Sequence, residues 1–411
     1  MAQINITLNQ EEILQLMADD QGDAFRVLLE KSLNEILKAE SAEQLRAEPY
    51  ERTEERTDSR NGTRQRELKT RIGSITLDVP RHRNVPFKTM IFENYNRSEA
   101  ALIATMVEMV INGVSTRKVA KVVETLCGQT YSKSTVSELC KELDDDVRAF
   151  RERPLEKEYP FLIMDATYFK VRKEHRISTT AFMIAYGFSS DGKREVLGFN
   201  VYDRESAGSW TDFLQSLINR GLHGVKMVIS DAHDGIIKAV SDLFTDVPWQ
   251  RCQFHFTRNI LDKTPKKYQT AVKLGLQDMF ACSTMEEARR CRDELINDYG
   301  DVAESAMKCL DEGFEDSMTV MALPEKLRRT VRTSNTLERL NRELKRRSNV
   351  IGIFPNEASL LRLMGAVLIE YNGKVQASTY AAFSKTGYSE LCRNIGKLAE
   401  IAREQRKLLA A

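Results

Sequence analysis

The order of short apolar segments between residues 161 and 255 constrains the fold more than any other feature of this sequence. Three strand-like segments follow one another directly, and two further strand-like segments are each preceded by an amphipathic, helix-like segment. In order, the seven segments are FLIMDATYFKVRK, ISTTAFMIAYGFSSDGK, REVLGFNVYD, SAGSWTDFLQSLINRG, VKMVISDA, DGIIKAVSDLF and VPWQRCQFH. Strands in direct succession pair antiparallel, whereas strands joined through helices lie parallel. The pattern therefore predicts a mixed sheet with helices on both faces.

The order strand, strand, strand, helix, strand, helix, strand is that of the ribonuclease-H-like fold. Residues 256–331 have a helical pattern with charged faces, which predicts a helical insertion after the fifth strand. Helical spacing returns in SNTLERLNRELKRRSN, in residues 357–371 and in a basic tail over 387–411. We therefore predict an α/β chain with a ribonuclease-H-like catalytic domain over 151–255 and 332–372, a helical insertion domain over 256–331 and a C-terminal helical tail over 373–411.

The sequence before residue 151 predicts α-rich DNA-binding domains that precede the catalytic domain. A helical region is expected over residues 1–50, where apolar residues recur at helical spacing and could form a dimer interface. A basic β-hairpin is expected over 51–96, with Gly73-Ser74 as the turn between two strands. A helix-turn-helix-like pair of helices is expected over 97–150.

Charge is segregated along the chain although its total is close to zero. The 61 Lys and Arg residues and 60 Asp and Glu residues leave a formal net charge of +1. Residues 1–50 carry 10 acidic and 4 basic side chains, whereas residues 60–88 carry 8 basic and 2 acidic ones. A basic hairpin suits contacts with phosphate, although a solvated Arg-rich face explains the pattern equally well. The hairpin residues that we assign to DNA binding are Arg60, Arg64, Arg66, Lys69, Arg71, Arg81 and Arg83.

The segment GVSTRKVAKVVETLCGQTYSKSTVSELCKEL is similar to a helix-turn-helix motif. Ser115 is placed to cap the first helix and Ser132 or Ser134 the second, with a break at Cys127-Gly128 between them. Two amphipathic helices joined by a glycine turn also occur in bundles without DNA contacts, so the motif alone leaves both interpretations open. In the DNA-binding interpretation, the contacting residues are Arg117, Lys118, Lys133, Ser134, Thr135, Ser137 and Lys141.

Three carboxylates occupy positions where a ribonuclease-H-like fold can gather them. Asp165 lies inside the apolar segment FLIMDATYF, where an uncompensated carboxylate is costly. Asp231 ends VKMVISD at the carboxyl edge of the sheet, and Glu338 lies in the first turn of the basic helix. Phosphodiester cleavage or transfer by two divalent metal ions needs converging carboxylates, and Mg²⁺ prefers oxygen ligands. We therefore predict that these three residues form a catalytic metal site.

Each of the three carboxylates also has a purely structural explanation. Asp165 can be a buried polar group whose hydrogen bonds are satisfied. Asp231 can be a turn residue, with Asp234 as a competing metal-facing carboxylate. Asn335-x-x-Glu338 matches a capping box. Because all three carboxylates occur at the places that the fold requires, the catalytic interpretation is favoured over three separate coincidences.

The helix that carries Glu338 is strongly basic and contains a single internal acid after it, Glu343. A surface of this kind beside a metal site suits the phosphate backbone of DNA, and the alternative is a solvated helix face. The residues of this helix that we assign to DNA binding are Arg339, Arg342, Lys345, Arg346 and Arg347.

Several classes of protein are excluded by the sequence. No apolar run approaches the ~20 residues that span a bilayer, and the N-terminus lacks the pattern of a signal peptide. The seven cysteines are scattered without a C-x-x-C pair, which is typical of reduced thiols in a cytosolic protein. We therefore expect a cytoplasmic protein without a membrane segment.

Four segments resemble the Mutator-type transposases of bacterial insertion sequences, which are Asp-Asp-Glu enzymes. The segments are DATYFKV, VISDAHDGI, WQRCQFHFTRN and SNTLERLNRELKRRSNVIGIFPN. The resemblance implies that Asp165, Asp231 and Glu338 bind two Mg²⁺ ions, for which Mn²⁺ can substitute. It also places the pair Cys252 and His255 just after the fifth strand.

The role of that pair is left open by the resemblance. By spacing, Cys252 and His255 form half of a zinc site, with Cys282 and Cys291 as irregular partners. The favoured alternative is that His255 supports the active site or contacts DNA while Cys252 packs in the core. Trp249 is either a core aromatic residue or a residue that stacks on a displaced base beside the site.

The resemblance implies a DNA transposase that acts as a homodimer on double-stranded DNA. It would bind the terminal inverted repeats of its element, cleave a strand, and join the freed 3′-hydroxyl to target DNA. The resemblance further implies copy-out, paste-in movement through a circular intermediate in a bacterial cytoplasm, with nucleoid association when bound to DNA. Three alternatives stay open: a ribonuclease-H-like nuclease, a transposase-derived regulator that binds DNA without cutting it, and a structural assembly protein.

Overall fold

The computed structural model describes residues 21–51, 56–70, 73–89, 100–127, 130–376 and 385–410. The chain divides into two compact units, Met1–Lys141 and Glu142–Ala411. Three predictions fall outside the described residues: helix before Gln21, the DNA-contacting role of Arg71, and the break at Gly128. Within the described part of the chain, no helix combines the length and the apolar character that crossing a membrane would require.

In the first unit, the predicted hairpin is present and packs on a helix. Helix α1 spans Gln21–Leu45, strand β1 spans Arg60–Thr70, and strand β2 spans Gly73–His82 in an antiparallel pair. Leu37 of α1 and Ile75 of β2 belong to the small core between them. The predicted turn was wrong by two residues, because Thr70 pairs with Gly73 and the latter begins β2. The φ of +115° at Gly73 favours glycine at this strand start.

The same unit contains the two helices predicted for the helix-turn-helix segment, preceded by another helix. Helix α2 spans Ala100–Ile111, α3 spans Thr116–Cys127, and α4 spans Lys133–Leu139. The cap of α4 is Ser132, whose Oγ accepts a hydrogen bond from the backbone N–H of Thr135 at 3.0 Å. The three helices contact one another, with Val119, Val123 and Val136 buried.

The second unit is built on a five-stranded mixed sheet, as the order of apolar segments predicts. Strands β3 (Phe161–Lys173), β4 (Arg176–Phe188) and β5 (Arg194–Tyr202) are antiparallel, whereas β6 (Met227–Ser230) and β7 (Trp249–Arg251) run parallel to β3. The spatial order is β5-β4-β3-β6-β7, which places β3 at the centre. The side chain of Asp165 therefore originates in the central strand of the sheet.

Helices cover both faces of this sheet. Helix α5 spans Leu143–Glu152, α6 spans Ala207–Asn219 between β5 and β6, and α7 spans Asp234–Leu243 between β6 and β7. The side chains of α6 and α7 join those of the sheet in one core cluster, in which Trp210, Phe213 and Leu162 are buried. On the other face, Phe199 of β5 lies near Gly365 of the later helix α14.

Five helices follow β7, and the first four enclose a separate core. They are α8 (Gln253–Lys263), α9 (Gln269–Ala281), α10 (Met285–Tyr299), α11 (Glu304–Ser317) and α12 (Glu325–Val331). Their shared core includes Phe256, Leu276, Leu310 and Phe314. The helical character predicted for 256–331 is confirmed, although the first helix begins three residues earlier because β7 ends at Arg251.

The described part of the chain ends with four helices. Helix α13 spans Asn335–Ser348 and contacts β3, and α14 spans Glu357–Gln376 and contacts β3 and β5. Helices α15 (Lys385–Arg393) and α16 (Ile395–Ala410) form the tail. The prediction for α14 ended five residues too early. The N-cap of α13 is Ser334, so the capping box that Asn335 and Glu338 would form is not the one that starts this helix.

Candidate active site

Strand pairing places two of the three predicted carboxylates at the same level. Ile163 of β3 is paired with Ile229 of the parallel strand β6, and Asp165 and Asp231 each follow these residues by two positions. Neighbouring strands lie about 4.8 Å apart, and side chains two residues apart along a strand point to the same face. The two carboxylates therefore lie side by side where β6 ends.

Asp165 is buried in the middle of β3, and its two oxygens have different hydrogen-bond partners. The backbone N–H of Ala166 donates to Oδ1 at 3.0 Å, and the side-chain amide of Asn341 donates to Oδ2 at 2.7 Å. Asn341 belongs to α13, so this second bond joins the basic helix to the central strand. These two hydrogen bonds agree in part with the alternative explanation of Asp165, a buried polar group whose hydrogen bonds are satisfied.

Asp231 has one carboxylate oxygen without any partner. In the described part of the chain, its Oδ1 is buried and makes no hydrogen bond. An unpaired buried carboxylate oxygen is costly unless a cation or a proton compensates it. Burial raises the pKa of Asp231, and the neighbouring charge of Glu205 raises it further.

Glu338 enters the site from the first turn of α13. The Ser334 hydroxyl donates to its Oε1 at 3.4 Å, and Asn341 lies three residues further along the helix. Side chains three positions apart share one face of a helix, so the bond between Asn341 and Asp165 also directs Glu338 towards the sheet. Burial raises the pKa of Glu338, while His255 and other nearby cations oppose that rise.

His255 supplies a positive charge beside all three carboxylates. The Cys252 sulfur is the largest cause that raises the pKa of His255 to about 9, and Asp165 and Asp231 add to it. In return, His255 lowers the pKa of each of the three acids. A protonated imidazole at this place therefore favours the ionised form of each carboxylate.

The three carboxylates also act on one another. Burial, with Asp231 and Glu338 as additional causes, raises the pKa of Asp165 to about 7. Like charges disfavour each other in a desolvated cluster, and a divalent cation removes that penalty. The donor set and the unpaired Oδ1 of Asp231 fit an oxygen-ligated divalent ion.

Cys252 has a structural role, in agreement with the favoured alternative that it packs in the core. Its sulfur lies 3.2 Å from the backbone nitrogen of Ser334 and 3.1 Å from its Oγ, so it holds the residue that precedes α13. One ligand atom each from Cys252, His255 and Glu338 lie within 4.8 Å of one another. Cys282 and Cys291, whose sulfurs are 3.7 Å apart, do not join this group in the described residues, so the less favoured zinc alternative gains no support.

Trp249 and Asp234 do not belong to the cluster. Trp249 is buried, and its indole N–H donates to the Ser230 hydroxyl at 2.9 Å, so the ring is not available to a displaced base. Of the two alternatives for Trp249, the core aromatic residue is the one that agrees with the structure, and its bond to Ser230 supports the strand that ends before Asp231. Asp234 is exposed in the first turn of α7.

The basic helix α13 has an inner face and an outer face, which the charge pattern did not separate. Arg347 is buried and contacts Glu343 at 2.7 Å and Glu370 at 2.6 Å, so its assignment to DNA binding was wrong. Arg346 forms a second ion pair with Glu343. The exposed basic residues of the outer face are Arg339, Arg342, Lys345 and the paired Arg346.

Some basic side chains of the hairpin bond to other parts of the protein, and others are exposed to solvent. Both terminal nitrogens of Arg60 donate to backbone carbonyls, at Glu48 and Ala47. Lys69 donates to the carbonyl of Thr130 and lies over the Tyr131 ring. The exposed basic residues of the hairpin strands and the position after β2 are Arg64, Arg81 and Arg83, and Arg66 is half-exposed.

The helix-turn-helix residues assigned to DNA are all at least partly exposed. They are Arg117, Lys118, Lys133, Ser134, Thr135, Ser137 and Lys141. Lys141 pairs with Glu138 at 2.7 Å, and the Thr135 hydroxyl lies 2.9 Å from that of Ser132. Exposure leaves these side chains accessible to a ligand without identifying one.

Sequence reasoning missed two residues that shape the site. Asn341 could have been found from its spacing, because it lies three residues after Glu338 on the same helix face. Glu205 lies near Asp231, and it accepts hydrogen bonds from the Tyr168 hydroxyl and the Trp210 indole at 2.6 and 3.1 Å. Nothing in the local pattern after β5 distinguishes Glu205 from a loop acid.

Comparison with known proteins agrees with the resemblance in the motifs. The transposase for insertion sequence element IS256 in transposon Tn4001 of Staphylococcus aureus is 42% identical over 374 residues, covering 90% of this chain and 96% of that protein. The transposase for insertion sequence element ISRM5 of Rhizobium meliloti is 39% identical over 359 residues, covering 87% and 90%. The transposase for IS1081 of Mycobacterium tuberculosis is 36% identical over 362 residues, covering 87% of each.

One solved structure is also similar, the Drosophila P element transposase strand transfer complex. It covers 74% of this chain and 92% of that chain at 13% identity, with a TM-score of 0.30, a likeness too weak to define the fold. The model of the family described as Transposase, Mutator family, matches residues 1–378. Since that match spans nearly the whole sequence, the chain belongs to the Mutator family of transposases.

Proposed function

We propose that this protein moves an insertion sequence by cleaving DNA strands and joining them to new sites. The observation that carries the proposal is the meeting of Asp165, Asp231 and Glu338 from two parallel strands and a basic helix around one buried point. A structural role alone gives no reason to gather three desolvated acids beside a protonated imidazole. Phosphodiester chemistry with bound divalent ions gives that reason.

Asp165, Asp231 and Glu338 would hold two Mg²⁺ ions, with Mn²⁺ as a substitute. When bound, such ions activate a water molecule or a 3′-hydroxyl and stabilise charge on the reacting phosphate. The chain's own residues prepare the site: Asn341 fixes Oδ2 of Asp165, and Cys252 fixes the start of α13. The Cys252 sulfur raises the pKa of His255 to about 9, which favours donation to an anion over ligation of a metal.

Several finer features belong to the same proposal. The strand order β5-β4-β3-β6-β7 supports a ribonuclease-H-like catalytic domain, with α8–α12 as its helical insertion. The hairpin and helices α3 and α4 would bind the terminal inverted repeats, while the outer face of α13 would contact phosphates near the site. Two ends must be paired, so the enzyme would act as a homodimer, through a circular intermediate, on DNA in the bacterial cytoplasm.

The proposal is tested by incubating purified protein with DNA that carries an element end, in the presence of Mg²⁺. Wild type should nick the DNA and join strands, whereas Asp165→Asn, Asp231→Asn and Glu338→Gln should bind the same DNA without cutting it. Asp234→Asn is the matched control, because it removes an exposed carboxylate close to Asp231 in sequence. This control should retain wild-type cleavage.

Two outcomes would contradict the proposal. Equal cleavage by wild type and the three site variants would reject the assignment of the carboxylates. Binding of the end by wild type without any cleavage in Mg²⁺ or Mn²⁺ would favour a DNA-binding regulator instead.

A further inference from the structure

A cationic groove lies between α8 and α9 and is not explained by the carboxylate site. Its volume is about 760 Å³, and its walls come from α8, α9 and the segment just before α13. The lining residues that matter for its chemistry are Phe254, Arg258, Asp262, Lys273 and Arg332. The volume suits a small ligand or a few nucleotides and is too small for a DNA duplex.

The groove opens beside the catalytic residues. The ring of Phe254 makes an edge contact with the ring of His255, with centroids 5.6 Å apart. Arg258, one helical turn further along α8, is close enough to Glu338 to lower the pKa of that acid. At the opposite wall, Arg332 lies two residues before Ser334, and its carbonyl accepts a hydrogen bond from the backbone of Gln253. A strand that leaves the carboxylate site towards α8 would therefore enter the groove directly.

The groove carries more positive charge than its own acid neutralises. Asp262 is 3.8 Å from Arg258 in a solvent-exposed pair, which is weak. Arg332 is half-buried and donates to the carbonyl of Phe280 at 3.4 Å, and it forms no ion pair with a carboxylate in the described residues. Lys273 is exposed on the facing helix. Such a surface attracts a polyanion and holds its phosphates.

Phe254 gives the groove a second chemical property. Its side chain is 46% exposed in the first turn of α8, although large aromatic side chains are usually buried. An exposed aromatic ring among cations is the arrangement with which proteins bind single-stranded nucleic acid, since every base has a face that can stack. Paired bases inside a duplex cannot offer that face.

We propose that this groove binds a short unpaired segment of the DNA strand next to the reacting phosphate, with one base stacked on Phe254 and phosphates at Arg258, Lys273 and Arg332. The inference rests on the proposed function, since it takes the DNA substrate from there. It adds a separate property, a preference for a DNA end that is already open. Transposition needs strands to separate from their partners, and the groove supplies a place for one of them.

The test measures binding of the full chain to two fluorescently labelled DNAs by anisotropy, in buffer with EDTA so that no cutting occurs. One DNA is a blunt duplex, and the other is the same duplex with a short single-stranded thymidine extension. Wild type should bind the extended DNA roughly tenfold more tightly, as expected for stacking of one or two bases. Phe254→Ala should remove most of that preference while leaving affinity for the blunt duplex unchanged.

Two further variants separate stacking from folding and from general charge. Phe254→Leu retains apolar volume without an aromatic face and should lose the preference as well, whereas Leu274→Ala, at an exposed apolar position on α9 outside the groove, should retain it. The double substitution Arg258→Gln with Lys273→Gln should weaken binding of the extended DNA more than Lys308→Gln, an exposed lysine of α11. Thermal unfolding would verify that each variant is folded.

An unchanged preference in both Phe254 variants, or equal binding of the two DNAs by wild type, would overturn the proposal. Iododeoxyuridine placed in the extension gives an independent check, because irradiation should crosslink it to a peptide that contains Phe254. Crosslinks confined to other segments would also overturn it. Failure of the carboxylate assignment is distinguishable, since that assignment is judged from cleavage in Mg²⁺ and this one from binding in EDTA.

Discussion

The β1–β2 hairpin and helix α13 look alike in sequence, since each concentrates basic residues with few acids. In the structure, however, their basic side chains differ in burial and in bonding partners. In the hairpin, Arg64 and Arg81 stay exposed, while Arg60 is held by backbone carbonyls. In α13, the inner face carries the buried Arg347 and the site residue Asn341. A cluster of basic residues can therefore serve the protein's own core as well as a nucleic acid.

The difference follows from the surroundings of each element. The core of the hairpin is small, so Arg64, which pairs with the partly buried Val79, stays in solvent although its strand face also carries Leu68. Helix α13 contacts both β3 and α14, which brings Glu370 of α14 within 2.6 Å of Arg347. Four sets of substitutions test this contrast, in order of decreasing expected effect.

The largest effect is expected from Arg347→Ala, which leaves Glu343 and Glu370 without their shared partner. The free energy of unfolding should fall by about 2 kcal/mol, because the buried Arg347 that bridges two partly exposed acids is lost, while Arg346 and Lys374 still pair with those acids. Urea unfolding followed by circular dichroism measures the change. Arg346→Ala, which removes an exposed partner of Glu343 on the same helix, should cost less than about 1 kcal/mol. Similar losses in both variants would contradict the division into two faces.

Asn341→Ala should impair catalysis without affecting DNA affinity, since Asn341 positions Asp165 and α13. Loss of such a supporting residue commonly lowers activity about 10- to 100-fold. Strand cleavage should also need a higher Mg²⁺ concentration for half-maximal rate, a shift that a purely structural loss would not produce. Asn349→Ala, at the exposed C-terminal end of the same helix, is the control and should behave as wild type. Normal Mg²⁺ dependence in Asn341→Ala would count against this role.

The exposed charges are expected to act through salt-dependent binding. Replacing Arg64, Arg81 and Arg83 by Gln should reduce the slope of log affinity against log salt by about 2 to 3, if each contacts one phosphate. The same replacement at Arg339, Arg342 and Lys345 should give a similar reduction. Arg60→Gln should leave the slope nearly unchanged, because that side chain is occupied by carbonyls. If Arg60→Gln reduced the slope of log affinity against log salt by a full unit, the contrast between the held Arg60 and the exposed arginines would be wrong.

The smallest effect concerns Asp58, which joins the end of β1 to the chain after β2. Backbone N–H groups of Val85, Asn84 and Ser59 donate to its carboxylate and lower its pKa to about 2. Because the folded-state pKa is depressed, the stabilisation is present above the unfolded value near 3.8 and disappears as pH falls through about 2. The difference in Tm between wild type and Asp58→Asn should therefore shrink as pH is lowered from 5 towards 2. A constant difference across that range would exclude this contribution.

Much of the sheet and of its carboxylates could be predicted, because both depend on local pattern. Apolar segments of limited length specify the strands, and parallel neighbours bring the residues after Ile163 and Ile229 to one level. The buried position of Asp165 is apparent from its apolar flanks alone. These conclusions need no knowledge of which helix packs where.

What could not be predicted depends on contacts between distant segments. The partner of Arg347 is 23 residues away on another helix, and Asn341 meets Asp165 across 176 residues. Trp249 and Phe254 are both aromatic residues near the fifth strand, and only packing decides that the first is buried and the second exposed. Side-chain exposure at the ends of short elements is therefore where sequence reasoning failed.

The hydrogen bond between Asn341 and Asp165 cannot form until residue 341 has been synthesised on the ribosome. At about 5 to 20 residues per second, the 176 residues between them take roughly 10 to 35 s to synthesise. During that interval the nascent chain already contains its N-terminal basic hairpin and helices but lacks Glu338 and the helix that carries it. Under the proposed function, a newly made molecule would have the time to meet DNA near its own message before it has the means to cut it.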